Sequence, residues 1–281
     1  MSTPTAQRRF VVRPLAGHVG AEIRGIDLHD PLDADTIDEV REVLADRGVV
    51  VFTGQTLGCE GHRTLARQLG EIRFPPDYLP TLKNDGYPEI SVLSTENGFG
   101  TRADKWHADV SWAPTPPRYS ILHMQVVPEV GGDTMWASQF DAYDRLSEPM
   151  KRFLEPLTVE HGLPSGPAGA THPLVHQHPI TGRRALFVSP TFTHRIVELD
   201  DAESEAVLAH LYRTSTAPEA VCRWRWSEGD IAVWDNHFVL HYAITDYGSA
   251  PRTIHRIEVE GQPLIPALAD PARTAAADPV R

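Results

Sequence analysis

The segment Lys105-Trp106-His107-Ala108-Asp109-Val110-Ser111-Trp112 constrains this chain more than any other. It is rich in aromatic and β-prone residues and is closed by Ala113-Pro114-Thr115-Pro116-Pro117, so it reads as a short strand. On a strand, residues i and i+2 share a face, with Cα atoms about 6–7 Å apart. His107 and Asp109 then project side by side, at a spacing where an imidazole and a carboxylate can hold one metal ion. A three-residue pattern arises often by chance, and a solvated or hydrogen-bonded pair explains it equally well until a third ligand is found.

Composition removes several classes of function. A hydrophobic content of 41% supplies a real core, and 281 residues suffice for one large β domain. The net charge of −12 argues against nucleic-acid binding, which needs a basic face to release counterions. Cys59 and Cys222 make no disulfide framework. The first residues lack the apolar stretch of a secretory signal, and no apolar run approaches the roughly 20 residues that span a bilayer. The expectation is a soluble cytoplasmic protein with no membrane or nucleic-acid partner.

The pattern along the chain is mainly β with helices set between strands. A strand-rich start over 10–28 precedes a helix capped by Asp33 or Asp35, with Ile37, Val40 and Leu44 on one stripe. Val49-Val50-Val51-Phe52 reads as a wholly buried strand, and a second helix covers 59–69, stopped by Gly70. Residues 72–102 are irregular, with a strand expected only over 89–93, and read as a substrate-covering loop or a surface insert. Further strands are expected over 119–127, from Thr134 after the Gly131-Gly132 turn, over 184–189, through the block 224–242 and over 252–259. Helices are expected over 140–154 and 201–214. Residues 162–182 read as a lid or long loop; its His172, His176 and His178 are poor metal candidates because Pro173 and Pro179 break any helix that would align them. No repeat or second core interrupts the pattern, so one domain over 1–281 is expected, ordered over about 10–262.

The third ligand is less local. His237 and His241 lie four apart in a β context, and such side chains stand about 13 Å apart on one strand. Only one of them can therefore join His107 and Asp109. Two histidines and one carboxylate make the facial triad of non-haem Fe(II) oxygenases, with three coordination positions left open. Arg252 and Arg256 are an even number apart, so they share a face and His255 takes the other. Buried guanidinium groups call for anions, and their forks suit carboxylates, although surface salt bridges would also account for the pair.

Several motifs together resemble the taurine/2-oxoglutarate-dependent dioxygenase (TauD/TfdA) family, which includes alkylsulfate and phenoxyacetate dioxygenases. These are 15–28, Trp106-His107-Ala108-Asp109, Gly131-Gly132-Asp133-Thr134, 172–182, and Trp234-Asp235-Asn236 followed by His241, Arg252 and Arg256. The resemblance implies a double-stranded β-helix, a cupin-like jelly roll with flanking helices. It implies His107, Asp109 and His241 as Fe(II) ligands, and Thr134 and Arg252 on the distal carboxylate of 2-oxoglutarate. Trp234 would stand by the cosubstrate, with Arg256 near its other end or near an anionic group of the substrate. Tyr78 and Val110 would contact a small acidic substrate. The implied reaction hydroxylates a C–H bond while O2 and 2-oxoglutarate become succinate and CO2. Asp109 keeps the carboxylate ligand that halogenases of this chemistry lack. A homo-oligomer, dimer or tetramer, is also expected.

The chain departs from the family pattern at Pro75 and Ala103, where the taurine enzyme has histidine and asparagine, and at His237, where arginine is usual. Taurine is therefore not the expected substrate. A catabolic oxygenase and a tailoring oxygenase of a biosynthetic pathway both remain open. So do a non-catalytic metal-binding jelly roll and a zinc hydrolase using the same three ligands.

Overall fold

The computed structural model describes residues 9–99, 103–166 and 168–268. The first elements are β1 (Val11–Pro14), β2 (Ala21–Arg24), α1 (Ala34–Arg47), β3 (Val49–Phe52), α2 (Cys59–Leu69), β4 (Ile72–Arg73), β5 (Thr81–Leu82) and β6 (Tyr87–Ser94). Next come β7 (Tyr119–Val126), β8 (Thr134–Ser138), α3 (Gln139–Asp144), α4 (Glu148–Leu154), β9 (Thr158–Gly162), β10 (Ala168–Pro173), β11 (Val175–Gln177), β12 (Arg184–Leu186) and β13 (Thr193–Ile196). The chain continues through α5 (Asp201–Ser215), β14 (Val221–Trp224), β15 (Ile231–Asp235), β16 (Val239–Ala243), β17 (Thr253–Val259) and β18 (Ile265–Pro266).

Two layers make the barrel. A large sheet runs β1-β2-β3-β15-β7-β17-β6-β5, with β4 also paired to β17, and it faces a smaller sheet ordered β14-β8-β16. Alternation along the central strands explains why they are apolar on both sides. Val49, Val51, Leu122, Met124, Ala232 and Trp234 point inward, where they meet Trp136 and Val239 of the smaller sheet. Val50, Phe52, Ile121, Ile231 and Val233 point outward and are covered by Ile37, Val40 and Leu44 of α1 and Leu65 and Leu69 of α2. This is the jelly roll expected from the resemblance.

The helices begin and end where local chemistry directs. Asp33 caps α1 by accepting the Thr36 amide at 2.8 Å, and Gly48 ends it at φ 74° with its amide on the Leu44 carbonyl. The expected single helix over 140–154 is instead two, because Ser147 caps a new helix with a proline in its first turn. Phe153 of the expected apolar stripe is 42% exposed as a result.

Both long loops are more structured than expected. Residues 72–99 hold β4, β5 and a β6 that starts at Tyr87, while 100–102 lie outside the described residues. Residues 162–182 hold β10 and β11 in two small sheets, β10-β9-β13 and β12-β11-β18, and residue 167 lies outside the described residues. Pro173 ends β10, so proline there marks a strand boundary. The ends, 1–8 and 269–281, also lie outside the described residues. Among the described residues, no helix is long and apolar enough to cross a membrane.

Candidate metal centre and active-site cavity

The metal-ligating segment is not a strand. His107 makes one isolated antiparallel bridge with His241, and the chain then turns at Val110, whose φ of 50° is rare for a β-branched residue. Across that bridge the two histidines exchange both backbone hydrogen bonds, at 3.1 and 2.8 Å. Asn236 takes over beyond the bridge. Its Oδ1 accepts the Asp109 amide at 2.7 Å, while its Nδ2 donates to the carbonyls of Asp109 and Pro117 at 2.9 and 3.1 Å. A buried asparagine thus supplies the hydrogen bonds that a neighbouring strand would otherwise give.

Asp109 Oδ1 lies 3.7 Å from His107 Nε2 and 3.6 Å from His241 Nε2. Two ligands each about 2.1 Å from one ion stand roughly 3 Å apart at right angles, so this separation fits a shared metal with slight contraction. His107 Nδ1 donates to the Lys105 carbonyl at 2.6 Å, which leaves Nε2 free as a ligand. Burial and the neighbouring His107 push the His241 pKa down to about 3, against Asp109, so its ring is neutral. Burial alone would raise the Asp109 pKa, but His241, Arg256, His107 and the Ser120 hydroxyl hold it below the usual carboxylate range. Three lone-pair donors facing one another with a single guanidinium beside them suit a divalent cation. Among the described residues, this is the one set of His, Cys, Asp or Glu whose ligand atoms come within 4.8 Å of one another.

Arg252 precedes β17 and Arg256 lies within it, and the bulge beside them places its extra residue on β7, so both side chains reach the barrel interior as their even spacing predicts. Arg252 is 2% exposed; its Nε donates to the Gly132 carbonyl at 3.1 Å and its Nη2 is buried without a partner. Burial pushes its pKa down, against Tyr247 and Asp133. A desolvated guanidinium with a free nitrogen fits an incoming carboxylate. Gly132, at φ 75°, is required beside it, since a Cβ there would meet Arg252 Nε at 3.1 Å. Thr134, 2% exposed, accepts the Trp226 indole N–H at 3.0 Å.

A cavity of about 480 Å³ opens on the triad, lined by His107, Asp109, Val110, Arg256, Glu258 and the apolar side chains of the 72–99 segment. Tyr78 stands at its rim, 68% exposed. Arg256 Nη1 reaches Asp109 Oδ1 at 3.1 Å. Trp234 does not line the cavity: it is fully buried behind His241, with ring centroids 4.7 Å apart. His172, His176 and His178 lie among Phe187 and Phe238, away from the triad. His237 Nε2 is engaged with the Pro116 carbonyl at 3.0 Å. Sequence reasoning missed Asn236, Glu258 and Ser120, whose hydroxyl donates to Asp109 Oδ2 at 2.9 Å. Asn236 could have been found in the Trp-Asp-Asn motif, and Glu258 in its even spacing from Arg256.

Fold and site together define a non-haem Fe(II), 2-oxoglutarate-dependent dioxygenase. The chain belongs to the family described as "Taurine catabolism dioxygenase TauD, TfdA family", which matches residues 12–257. It is 35% identical to an alpha-ketoglutarate-dependent sulfate ester dioxygenase of Pseudomonas putida, with 89% of each chain covered. It is 33% identical to an alkylsulfatase of Acinetobacter baylyi, covering 93% of this chain and 88% of that one. A solved taurine dioxygenase from Burkholderia xenovorans superposes with a TM-score of 0.82 at 34% identity, covering 96% of this chain and 98% of the other.

Proposed function

We propose that this chain hydroxylates a C–H bond of a small anionic organic molecule, converting 2-oxoglutarate and O2 into succinate and CO2. The observation that carries the reading is the His107, Asp109 and His241 set, with ligand atoms within 4.8 Å, beside a buried Arg252 nitrogen without a partner. In this reading those three residues hold Fe(II), and Arg252 with Thr134 binds the distal carboxylate of 2-oxoglutarate. Bound Fe(II) would supply the redox centre for oxygen activation, with the electrons coming from the decarboxylation of 2-oxoglutarate and from the substrate C–H bond.

The chain's own groups set the conditions. The Lys105 carbonyl orients the His107 ring, and Ser120 and Arg256 hold the Asp109 carboxylate ionised and fixed at both oxygens. Val110, Trp112 and Phe192 line an apolar wall that limits water near the reacting carbon. Arg256 and Tyr78 face the space where an anionic substrate would lie. Relatives named for sulfate esters and alkyl sulfates support an anionic organic substrate class. We read residues 1–281 as one such domain, acting in the cytoplasm as a dimer or tetramer, which light scattering on the purified protein would check.

The test is a panel of sulfate esters, sulfonates and aryloxy acids scored for succinate release with and without Fe(II). Substrate-dependent succinate that vanishes without Fe(II) is the expected outcome. A protein that purifies with zinc and consumes no oxygen with any member of the panel would sink the reading.

A further inference from the structure

Glu258 is the carboxylate of the cavity that the proposed chemistry leaves without a task. It lies on β17 two residues beyond Arg256, is 5% exposed, and lines the cavity. Its Oε1 is buried without a hydrogen-bond partner. A carboxylate has room for about four hydrogen bonds, and leaving an oxygen bare inside a protein is unfavourable.

None of its neighbours donates to that oxygen, although Arg256 Nε is itself buried without a partner. Glu258 pairs across the sheet with Ser120 of β7 and Arg73 of β4. Ser120 donates its hydroxyl to Asp109, and Arg73 Nη1 is held by Glu260 at 2.9 Å and the Thr115 carbonyl at 3.0 Å. Arg256 Nη1 bonds Asp109 at 3.1 Å and stands 3.7 Å from Glu258 Oε1, too long for a hydrogen bond. Burial pushes the Glu258 pKa up while Arg256 pulls it down. Much of the remaining lining is apolar, including Phe74, Leu93, Val110 and Phe192, and the donors that Trp112 and Tyr78 add to it do not bond Glu258 Oε1.

We propose that Glu258 is a specificity-determining residue: its carboxylate accepts a hydrogen bond from an N–H or O–H group on the substrate, so the substrate carries such a donor beside its anionic group. The anion belongs near Arg256 and the donor near Glu258, two residues further along the same strand face. A plain aliphatic or aryl acid would instead leave Glu258 bare and add a second negative charge beside it. The proposal rests on the dioxygenase reading, which gives the cavity its substrate.

The experiment measures binding to the full chain loaded with Mn(II) and N-oxalylglycine, by calorimetry. One probe series is phenoxyacetate and its meta and para aminomethyl and hydroxymethyl derivatives; the other is hexyl sulfate and its terminal amino and hydroxyl analogues. In the natural protein, donor-bearing probes should bind roughly ten-fold or more tighter than the parent, the size of a charge-assisted hydrogen bond. Glu258→Gln and Glu258→Leu should each remove most of that preference while parent binding holds or improves; comparing amino with hydroxyl arms identifies the donor. A Glu258 that served only to position Arg256 would weaken parents and derivatives alike, and that result overturns the proposal. So does equal binding within both series, or binding by neither. N-oxalylglycine failing to bind the Mn(II)-loaded protein would instead overturn the dioxygenase reading, and the Glu258 proposal with it.

Discussion

Two of the groups of buried histidines in this molecule differ in what their nitrogens face. His107 and His241 turn Nε2 toward one oxygen of Asp109, at 3.7 and 3.6 Å. In the second group, His161 Nδ1 meets the Ser111 hydroxyl at 2.9 Å, His172 Nε2 the Ser111 carbonyl at 2.9 Å, and His237 Nε2 the Pro116 carbonyl at 3.0 Å. His176 stacks on Phe238 at 4.5 Å. Asp235, the carboxylate near His178, is claimed by Arg118 at 2.7 Å. Burial alone therefore does not make a metal site; convergence of two imidazole nitrogens on one carboxylate oxygen does. The second group packs like polar-edged aromatic rings, held by carbonyls, hydroxyls and stacking, with His176 Nε2 left without a partner.

The largest effect should come from removing the carboxylate on which the first group converges. Asp109→Ala is expected to bring Fe(II)-dependent succinate formation to background and to lower bound iron, measured by metal analysis of the same sample. Full metal content in that variant would dissolve the distinction between the groups.

Arg252→Lys keeps the charge but loses the guanidinium fork that Gly132 and the free Nη2 define. The 2-oxoglutarate KM should rise roughly ten- to hundred-fold, in line with the loss of a charge-assisted contact of about 1.5–3 kcal/mol. An unchanged KM would place the cosubstrate elsewhere.

The second group should show itself in stability rather than activity. Burial holds His161, His178 and His237 down to about 3. The unfolded chain protonates these rings near pH 6.5, while the folded chain does not until near pH 3. Their contribution is therefore complete above about pH 6.5 and is lost as pH falls toward 3, by up to about 1.4 kcal/mol per pH unit for each ring. Thermal melts of the metal-free protein between neutral and mildly acidic pH should show Tm falling with pH; a flat profile would mean that these rings are charged in the fold.

The smallest effect sharpens the comparison most. His176 Nε2 is buried without a partner, so His176→Phe exchanges a ring of similar shape for one without an unsatisfied nitrogen. Tm should hold or rise slightly, and iron content and turnover should stay at the level of the natural protein. Loss of iron in this variant would move His176 into the first group.

Much of the fold is legible along the chain because its signals are local. The Asp33 cap and Gly48 stop, the helix at 59–69 and the two-faced strand at 49–52 each depend on a few neighbouring residues, and all stand where expected. The histidine-rich stretch 162–182 misled because the same Gly and Pro residues that mark loops also bound short strands. The helix over 140–154 misled because its apolar stripe runs across a point where Ser147 and Pro149 restart the helix. The His-x-Asp segment contains the right pair for a different reason than periodicity suggested. A bridge to His241 and the amide of Asn236, rather than strand alternation, bring the ligands together.

The sequence by itself determined the residue types on offer: two histidine-bearing blocks, one aspartate between aromatic residues, two late arginines, and strands apolar on both faces. Those follow from alternation, capping and composition, which act over a few residues. Only the tertiary structure supplied the geometry by which His241, the histidine that the family resemblance implied, closes the triad. It also decided that Trp234 stands behind His241, and that Glu258 Oε1 is left without a donor. The physical reason is range. A ligand set needs atoms a few ångströms apart from segments more than a hundred positions apart, and sheet pairing across the whole chain sets that distance.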